Sequence, residues 1–330
     1  MATSSNPSSP ISSNRVRADA PPVSSYAATP LQPSPTPKIN GKVLYSTKGA
    51  AHEYGRIGCN FYVGCPHGCA YCYLKRGAPS KYLGGTKVQL KKCFKDEDDA
   101  AAIFKKELDR WLDPCKKYGI FLSFTTDPMI EETSSLTLTA IIQATARDIP
   151  VYILTKNATF NYDDLVMDWL HTINEIYRDR IHFGFTLTGR DDMEPYASHN
   201  QDRIMAMRRM YLMGYSIFAS IEPVIDWQSA KNIIEKSLPW CEHYKIGLRS
   251  GVEKDYYNPK ESFYAVSEII GMASKHERTV YLKESTRKLL CQCLSPEVMD
   301  QLLSKTVDMD GVKIPLHVRA GDDGTAIIPL

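Results

Sequence analysis

From Gly119 onward, short apolar runs rich in β-branched and aromatic residues recur about every thirty residues, and this rhythm restricts the possible folds more than any other feature. The runs are Ile120–Phe124, Val151–Leu154, Ile181–Leu187, Ser216–Ile221, Tyr244–Leu248 and Val280–Leu282, and an earlier strand is predicted over Ile57–Val63. Their apolar character is continuous rather than alternating, as expected of strands buried on both faces of a parallel sheet. Segments of helical period lie between them. Ala100, Ile103, Phe104, Leu108, Trp111, Leu112 and Cys115 form one apolar stripe; Leu165, Trp169, Leu170, Ile173, Ile176 and Tyr177 form a second; Ile204, Met207, Met210 and Tyr211 form a third. Asn258-Pro259 reads as an N-cap followed by proline at the first helical position. Strands and helices alternating at this spacing make a βαβ series, so the predicted fold class is α/β with a parallel sheet, as a barrel or an open sheet.

The first forty residues do not share the rhythm. They hold nine serines and eight of the twenty prolines, with Asp19 as the only acid and Arg15, Arg17 and Lys38 as the bases. A segment this poor in apolar residues cannot bury enough surface to offset its ordering entropy, so 1–40 is expected to be a disordered tail. Its composition faintly resembles an organelle transit peptide, although a solvated tail is the simpler reading. The domain plan is a tail over 1–40, a β/α barrel over 41–285 and an extension over 286–330. A formal charge of +2 names no partner by itself. No apolar run approaches the roughly 20 residues that a bilayer span requires, so a cytoplasmic protein without a membrane partner is expected.

Three of the nine cysteines fall within eight residues, in Gly64-Cys65-Pro66-His67-Gly68-Cys69-Ala70-Tyr71-Cys72-Tyr73. The odd number, uneven spread and chain length argue for metal binding rather than a disulfide framework. Thiolates favour iron–sulfur clusters and zinc, and an ordinary cubane cluster takes four of them. Three cysteines leave one iron open, which is what a reactive centre needs. Zinc, with a fourth ligand from His67, Cys59 or a distant cysteine, is the alternative, but the paired spacings zinc prefers are missing. Cys241, Cys291 and Cys293 raise the question of a second cluster, with isolated buried cysteines as the simpler account. The motif follows the first predicted strand, where the active-site loops of β/α folds lie.

The Cx3Cx2C spacing with an aromatic before the third cysteine resembles the radical S-adenosylmethionine superfamily. The resemblance implies a partial (β/α)6 TIM-like barrel and a 4Fe-4S cluster on Cys65, Cys69 and Cys72. It also implies S-adenosylmethionine as cofactor, cleaved reductively to a 5′-deoxyadenosyl radical, and a one-electron reductant of flavodoxin or ferredoxin type. Tyr71-Cys72-Tyr73-Leu74 and Ser123-Phe124-Thr125-Thr126-Asp127 are similar to the spore photoproduct lyase branch. Carried over, Tyr71 and Tyr73 are candidate catalytic residues, and Tyr71 is also a cofactor contact. Thr125, Thr126 and Asp127 would accept from the cofactor's amino group. Lys156 would pair with its carboxylate, Thr186 and Thr188 would bind ribose, and Glu222 and Val224 would lie by adenine. Glu222, Lys245, Arg249 and Lys283 are strand-end ionisable residues that fit substrate contacts or ion pairs equally. One departure stands out: the branch has a hydrogen-donor cysteine where this chain has Phe124. The match runs from about Gly55 to Ser250.

Between Leu74 and Asp96 lie Lys75, Arg76, Lys81, Lys87, Lys91, Lys92 and Lys95 with no acid, interleaved with Tyr82 and Phe94. Phosphate attraction with aromatic stacking is how nucleic acid is held, so the expected substrate class is nucleic acid or a nucleotide, reached through Lys75–Lys95. A solvated basic face is the plainer account of the same run. The competing functions are a radical enzyme acting on a peptide or small metabolite, and a metal-stabilised binding module without turnover.

Overall fold

A computed structural model describes residues 37–77 and 80–315. Its main sheet has eight strands: β1 (Leu44–Ser46), β2 (Ile57–Cys59), β3 (Ile120–Leu122), β4 (Val151–Thr155), β5 (Ile181–Thr186), β6 (Ser216–Val224), β7 (His243–Leu248) and β8 (Thr279–Leu282). They lie side by side in chain order. β1 pairs antiparallel with β2, and every later pair is parallel. The crossovers carry α1 (Glu97–Arg110), α2 (Glu131–Thr145), α3 (Asp164–Tyr177), α4 (Asn200–Leu212), α5 (Trp227–Ser237) and α6 (Pro259–Lys275), and α7 (Glu284–Leu290) follows β8. This is the α/β class with a parallel sheet that the rhythm predicts.

Among the described residues the sheet does not close between β1 and β8. The connection from β1 to β2 reaches across instead. The Tyr54 hydroxyl meets Ser220 Oγ of β6 at 2.5 Å, Glu53 accepts from Tyr281 of β8 at 2.8 Å, and Lys245 of β7 donates to the Glu53 carbonyl at 2.9 Å. At the other edge, the Glu107 carboxylate of α1 accepts from the backbone of Lys42, Val43 and Leu44 at 2.6–3.1 Å, which ties β1 to the first helix.

Local chemistry sets the helix ends. Asp96, Asp226 and Asn258 accept from backbone N–H groups in the first turns of α1, α5 and α6, an arrangement that typically contributes about 1 kcal/mol each. Pro259 occupies the first position of α6 as predicted. The stripe from Ala100 to Cys115 is two helices, because Pro114 in a continuous helix would clash with the Arg110 carbonyl. The chain breaks at Trp111 and resumes over Leu112–Tyr118, ending at Gly119. Gly119 has φ +68°, and a Cβ there would lie 2.9 Å from the Pro150 carbonyl.

Several expectations need correcting. Ile57–Val63 is not one strand: β2 ends at Cys59, and Tyr62–Val63 pairs with Gln89–Leu90 in a separate antiparallel ribbon. At the break, Asn60 Oδ1 accepts from Phe124 N at 2.8 Å and Ser123 Oγ at 3.0 Å, which ties it to the residues just past the end of β3. In α3 the buried stripe is Val166, Met167, Leu170 and Ile173. Leu165 and Ile176 fall off it and are exposed. Ile39 lies in the core although the tail was expected to run through residue 40; the rest of the tail, residues 1–36, lies outside the described residues, as do 316–330. Within the expected extension, Leu289, Leu290, Met299 and Leu302 join the same core. No helix among the described residues is long and apolar enough to cross a membrane.

Candidate active site

The loop after β2 carries the three cysteines, and two glycines shape it. Gly64 has φ +86° and Gly68 φ +70°. An added Cβ would lie 2.2 Å from the Lys87 carbonyl at the first and 2.6 Å from the Tyr196 ring at the second. Conformation favours glycine at both sites, and at Gly64 the close backbone carbonyl adds a demand on space. The loop is pinned by Cys65 N to the Gly85 carbonyl and Ala70 N to the Met193 carbonyl, each at 2.9 Å.

Cys65, Cys69 and Cys72 are free thiols that line one cavity of about 480 Å³. Other parts of its wall come from the carboxyl ends of the parallel strands: Thr126 and Asp127 after β3, Lys156 after β4, Thr186 of β5, Glu222 of β6, Arg249 after β7 and Lys283 after β8. Burial, and next the Asp127 carboxylate, push the Cys65 thiol up to about 12, and burial raises Cys69 as well. Thiols in such a place ionise only when a cation takes the proton's place, which is what metal binding does.

Among the described residues no three His, Cys, Asp or Glu side chains are grouped to share a single metal ion. A cubane cluster, in contrast, takes each thiolate on a different iron. The proposed fourth zinc ligands are otherwise engaged. Cys59 is buried in β2 within the core, and His67 directs Nε2 to Asp127 at 2.8 Å. Cys241 is buried, Cys293 half-buried and Cys291 exposed, and they form no group with one another.

The resemblance-derived positions divide clearly. Thr126 is 8% exposed, and its Oγ1 is buried on the cavity with no hydrogen-bond partner among the described residues. A polar atom left without a partner in the wall of a cavity is what a site for a polar ligand group provides. Lys156 sits with Nζ 5.5 Å from the centre of the Tyr71 ring. Burial works against its charge, but Cys69 and Glu194 outweigh that and raise its pKa. Thr186 lies on the wall.

Asp127 reaches the cavity with its carboxylate already filled. It accepts from His67 Nε2 (2.8 Å), Thr155 Oγ1 (2.7 Å), Lys156 N (2.7 Å) and Met129 N (2.9 Å). Burial alone would raise its pKa; the hydrogen bond and charge of His67, with the two backbone donors, hold it at about 2. These contacts tie the cysteine loop to the ends of β3 and β4.

Glu222 is likewise committed, accepting from Tyr54 and from Lys283 Nζ at 2.5 Å. Three positions leave the cavity wall. Thr125 Oγ1 donates to the Tyr62 carbonyl at 2.6 Å, Thr188 Oγ1 donates to Glu194 at 3.0 Å, and Val224 is a core residue 1% exposed. Each has a partner or a packed environment that a bound cofactor would have to displace.

Of the two tyrosines, Tyr71 is buried, and its hydroxyl donates to Glu194. Burial and then the Glu194 charge raise its pKa, so it stays protonated. Tyr73 is 57% exposed and donates to the Phe124 carbonyl. Phe124 itself lines the cavity, stacked on Phe121 with ring centres 4.7 Å apart.

Sequence reasoning missed Lys48 and Tyr54, which line the same cavity. Both lie between β1 and β2, upstream of the first strand that the apolar rhythm reveals, and no local motif marks them. Lys245 is off the wall, buried against Glu53; burial and then Lys283 lower its pKa to about 8.

The basic segment is only partly a surface. Lys75, Lys81, Lys87, Lys92 and Lys95 are exposed, as is Tyr82 at 81%. Phe94 is buried, and Lys91 packs over its ring at 5.6 Å and donates inward to the Lys42 and Asn60 carbonyls. Arg76 donates to the Ser250 carbonyl. Phe94, Lys91 and Arg76 therefore make internal contacts, and the outward charge of the segment rests on the other five lysines.

No family model matches the sequence. An uncharacterized protein of Methanocaldococcus jannaschii is 26% identical over 224 residues, spanning 63% of this chain and 78% of that protein. Spore photoproduct lyase in complex with a dinucleoside spore photoproduct superposes with a TM-score of 0.53 at 14% identity, covering 73% of this chain and 79% of the lyase. A mutant of that lyase with bound AdoMet and the dinucleoside gives 0.52 at 13% identity, over 69% of this chain and 76% of the lyase. This chain thus has a fold similar to that of spore photoproduct lyase.

Proposed function

We propose that this chain is a radical S-adenosylmethionine enzyme whose substrate is nucleic acid or a nucleotide. The observation that carries the first half is the convergence of three thiols, the unpartnered Thr126 hydroxyl and Lys156 on one cavity at the strand ends. When bound there, a 4Fe-4S cluster supplies the electron that cleaves S-adenosylmethionine to methionine and a 5′-deoxyadenosyl radical. The residues present fit both groups. Cys65, Cys69 and Cys72 hold the cluster, Thr126 accepts from the cofactor's amino group, Lys156 takes its carboxylate, and Thr186 meets the ribose. Tyr71, fixed by Glu194, orients the cysteine loop. A flavodoxin- or ferredoxin-type protein is the reductant. Among the described residues the cavity contains no cysteine besides these three, and Phe124 stands where the lyase branch has its hydrogen donor. A reaction other than spore photoproduct repair follows from that difference.

The test is anaerobic reconstitution with iron and sulfide, followed by dithionite reduction and chromatography for 5′-deoxyadenosine. Its absence from a fully iron-loaded preparation would reduce the reading to a metal-stabilised module without turnover. Thr126→Val sharpens the assignment. It keeps the shape and removes the hydroxyl, so affinity for S-adenosylmethionine should fall about tenfold, as expected for a lost hydrogen bond to a charged group. Stability should hold or rise, because a buried hydroxyl without a partner is removed. Unchanged affinity on calorimetry would remove Thr126 from the cofactor site.

The nucleic-acid half rests on five exposed lysines beside the cysteine loop. Replacing Lys87, Lys92 and Lys95 with Gln should flatten the salt dependence of binding, each lost phosphate contact lowering the slope of log affinity on log salt by roughly 0.7 to 0.9. Lys91→Gln should instead cost stability. Native protein that binds neither DNA nor RNA at low salt would move a peptide or small metabolite ahead.

A further inference from the structure

Among the four strand-end ionisable residues, the tertiary contacts single out one. Glu222 and Lys283 neutralise each other at 2.5 Å, with the Tyr54 hydroxyl completing the pair. Lys245 is buried against Glu53 and off the cavity. Arg249 lines the cavity, half-buried, with a buried Nε that has no hydrogen-bond partner and no ion pair among the described residues. Its backbone is held firmly. Arg249 N donates to the Tyr257 hydroxyl at 2.9 Å, and that hydroxyl donates to the Val224 carbonyl at the end of β6. Leu248 N beside it donates to Ser285 Oγ at 3.1 Å.

The charge balance of the cavity points the same way. Its two carboxylates, Asp127 and Glu222, are both filled by protein donors. Lys156 stands by Cys69 and Glu194, and is the residue assigned to the cofactor carboxylate. That leaves Arg249, with Lys48 on the same wall, as positive charge without a counter-ion among the described residues. A planar guanidinium fork, partly desolvated and preorganised, recognises a carboxylate or phosphate through paired charge-assisted hydrogen bonds.

We propose that Arg249 is the anchor of a substrate subsite for an oxyanion, a phosphate or carboxylate group, distinct from the cofactor's own carboxylate position. The subsite rests on the cavity being the active site proposed above, but binding there does not depend on turnover.

Full-length reconstituted protein saturated with S-adenosylmethionine would be titrated calorimetrically with inorganic phosphate and, separately, succinate. The better of the two identifies the anion. Arg249→Gln should weaken that probe about tenfold or more, the effect of losing charged hydrogen bonds. Arg249→Lys, which keeps the charge and loses the fork, should fall between. Affinity for S-adenosylmethionine should stay within about twofold of native in both, well under the loss of a hydrogen bond. If Arg249→Gln fails to fold, Arg249→Lys alone gives the result. The proposal is overturned if neither probe binds native protein at tens of millimolar, if the variants bind the probe as native does, or if cofactor affinity falls in parallel. Iron content and 5′-deoxyadenosine measured on the same preparations keep the readings apart. Arg249-dependent anion binding without either would sink the radical chemistry and leave the subsite standing.

Discussion

Alanine at Cys65, Cys69 or Cys72 is expected to abolish cluster assembly, with iron and labile sulfide falling from about four each per chain to background. The expectation follows from the donor set. These are the only three cysteines on the cavity among the described residues, and the fourth position has no protein ligand to spare. His67 is engaged with Asp127, and Cys59 lies in the core. Two thiolates cannot hold a cubane against exchange, so no single site is dispensable. The fold should persist, because Cys65 and Cys72 are half-buried and Cys69 loses only one buried sulfur, worth on the order of 1 kcal/mol by analogy with a methylene. Metal analysis, the visible spectrum and a melting curve on each variant check both halves. Full iron retention in any of the three, or stoichiometric zinc in the native protein, would end the cluster assignment.

Arg203→Met should lower unfolding free energy by about 3 to 5 kcal/mol, the usual cost of removing one partner from a buried ion pair. Arg203 and Glu194 are both fully buried, with Nη2 2.8 Å from Glu194 Oε2, a contact close enough for pairing although not aligned as a hydrogen bond. Nε and Nη1 donate to the Ser198 and Thr186 carbonyls at 2.8 and 2.9 Å. Without the guanidinium, Glu194 loses its ion-pair partner and keeps only the Tyr71 and Thr188 hydroxyls and the nearby Lys156 charge. Because Tyr71 immediately precedes Cys72, looser anchoring of that ring should also reduce cluster yield. Adding Glu194→Leu to Arg203→Met should recover part of the stability by removing the stranded carboxylate. Urea denaturation of native protein and both variants measures this. A loss under about 1 kcal/mol for Arg203→Met would show that the pair carries far less than a buried pair usually does.

The second and third apolar stripes show how far periodicity reaches. Ile204, Met207 and Met210 are buried as their spacing indicates, because a helix exposes its own hydrophobic face to inspection. Leu165 and Ile176 satisfied a similar count yet lie in solvent, since the position of a stripe's edge depends on what the helix packs against. The basic segment behaves alike. Lys91 and Phe94 are indistinguishable in sequence from their neighbours, and only the fold turns them inward.

The parallel series of strands, the cysteine loop that follows the first of them, and the places of Thr126 and Lys156 near strand ends were all legible in the chain. Each depends on residues close in sequence: apolar period, turn chemistry, or the end of a strand. The β1 edge, the division of labour within Ser123–Asp127, and the pairing of charges around the cavity were decided by tertiary structure. Glu107 holds β1 from 63 or more positions away, Lys283 reaches Glu222 across 61, and Tyr54 reaches Glu222 across 168. A carboxylate's role depends on which donors fill it, and those donors arrive from separate crossovers. The four strand-end charges therefore read alike in the sequence, and only the packing of distant segments could neutralise Glu222 with Lys283, bury Lys245, and leave Arg249 open to the cavity.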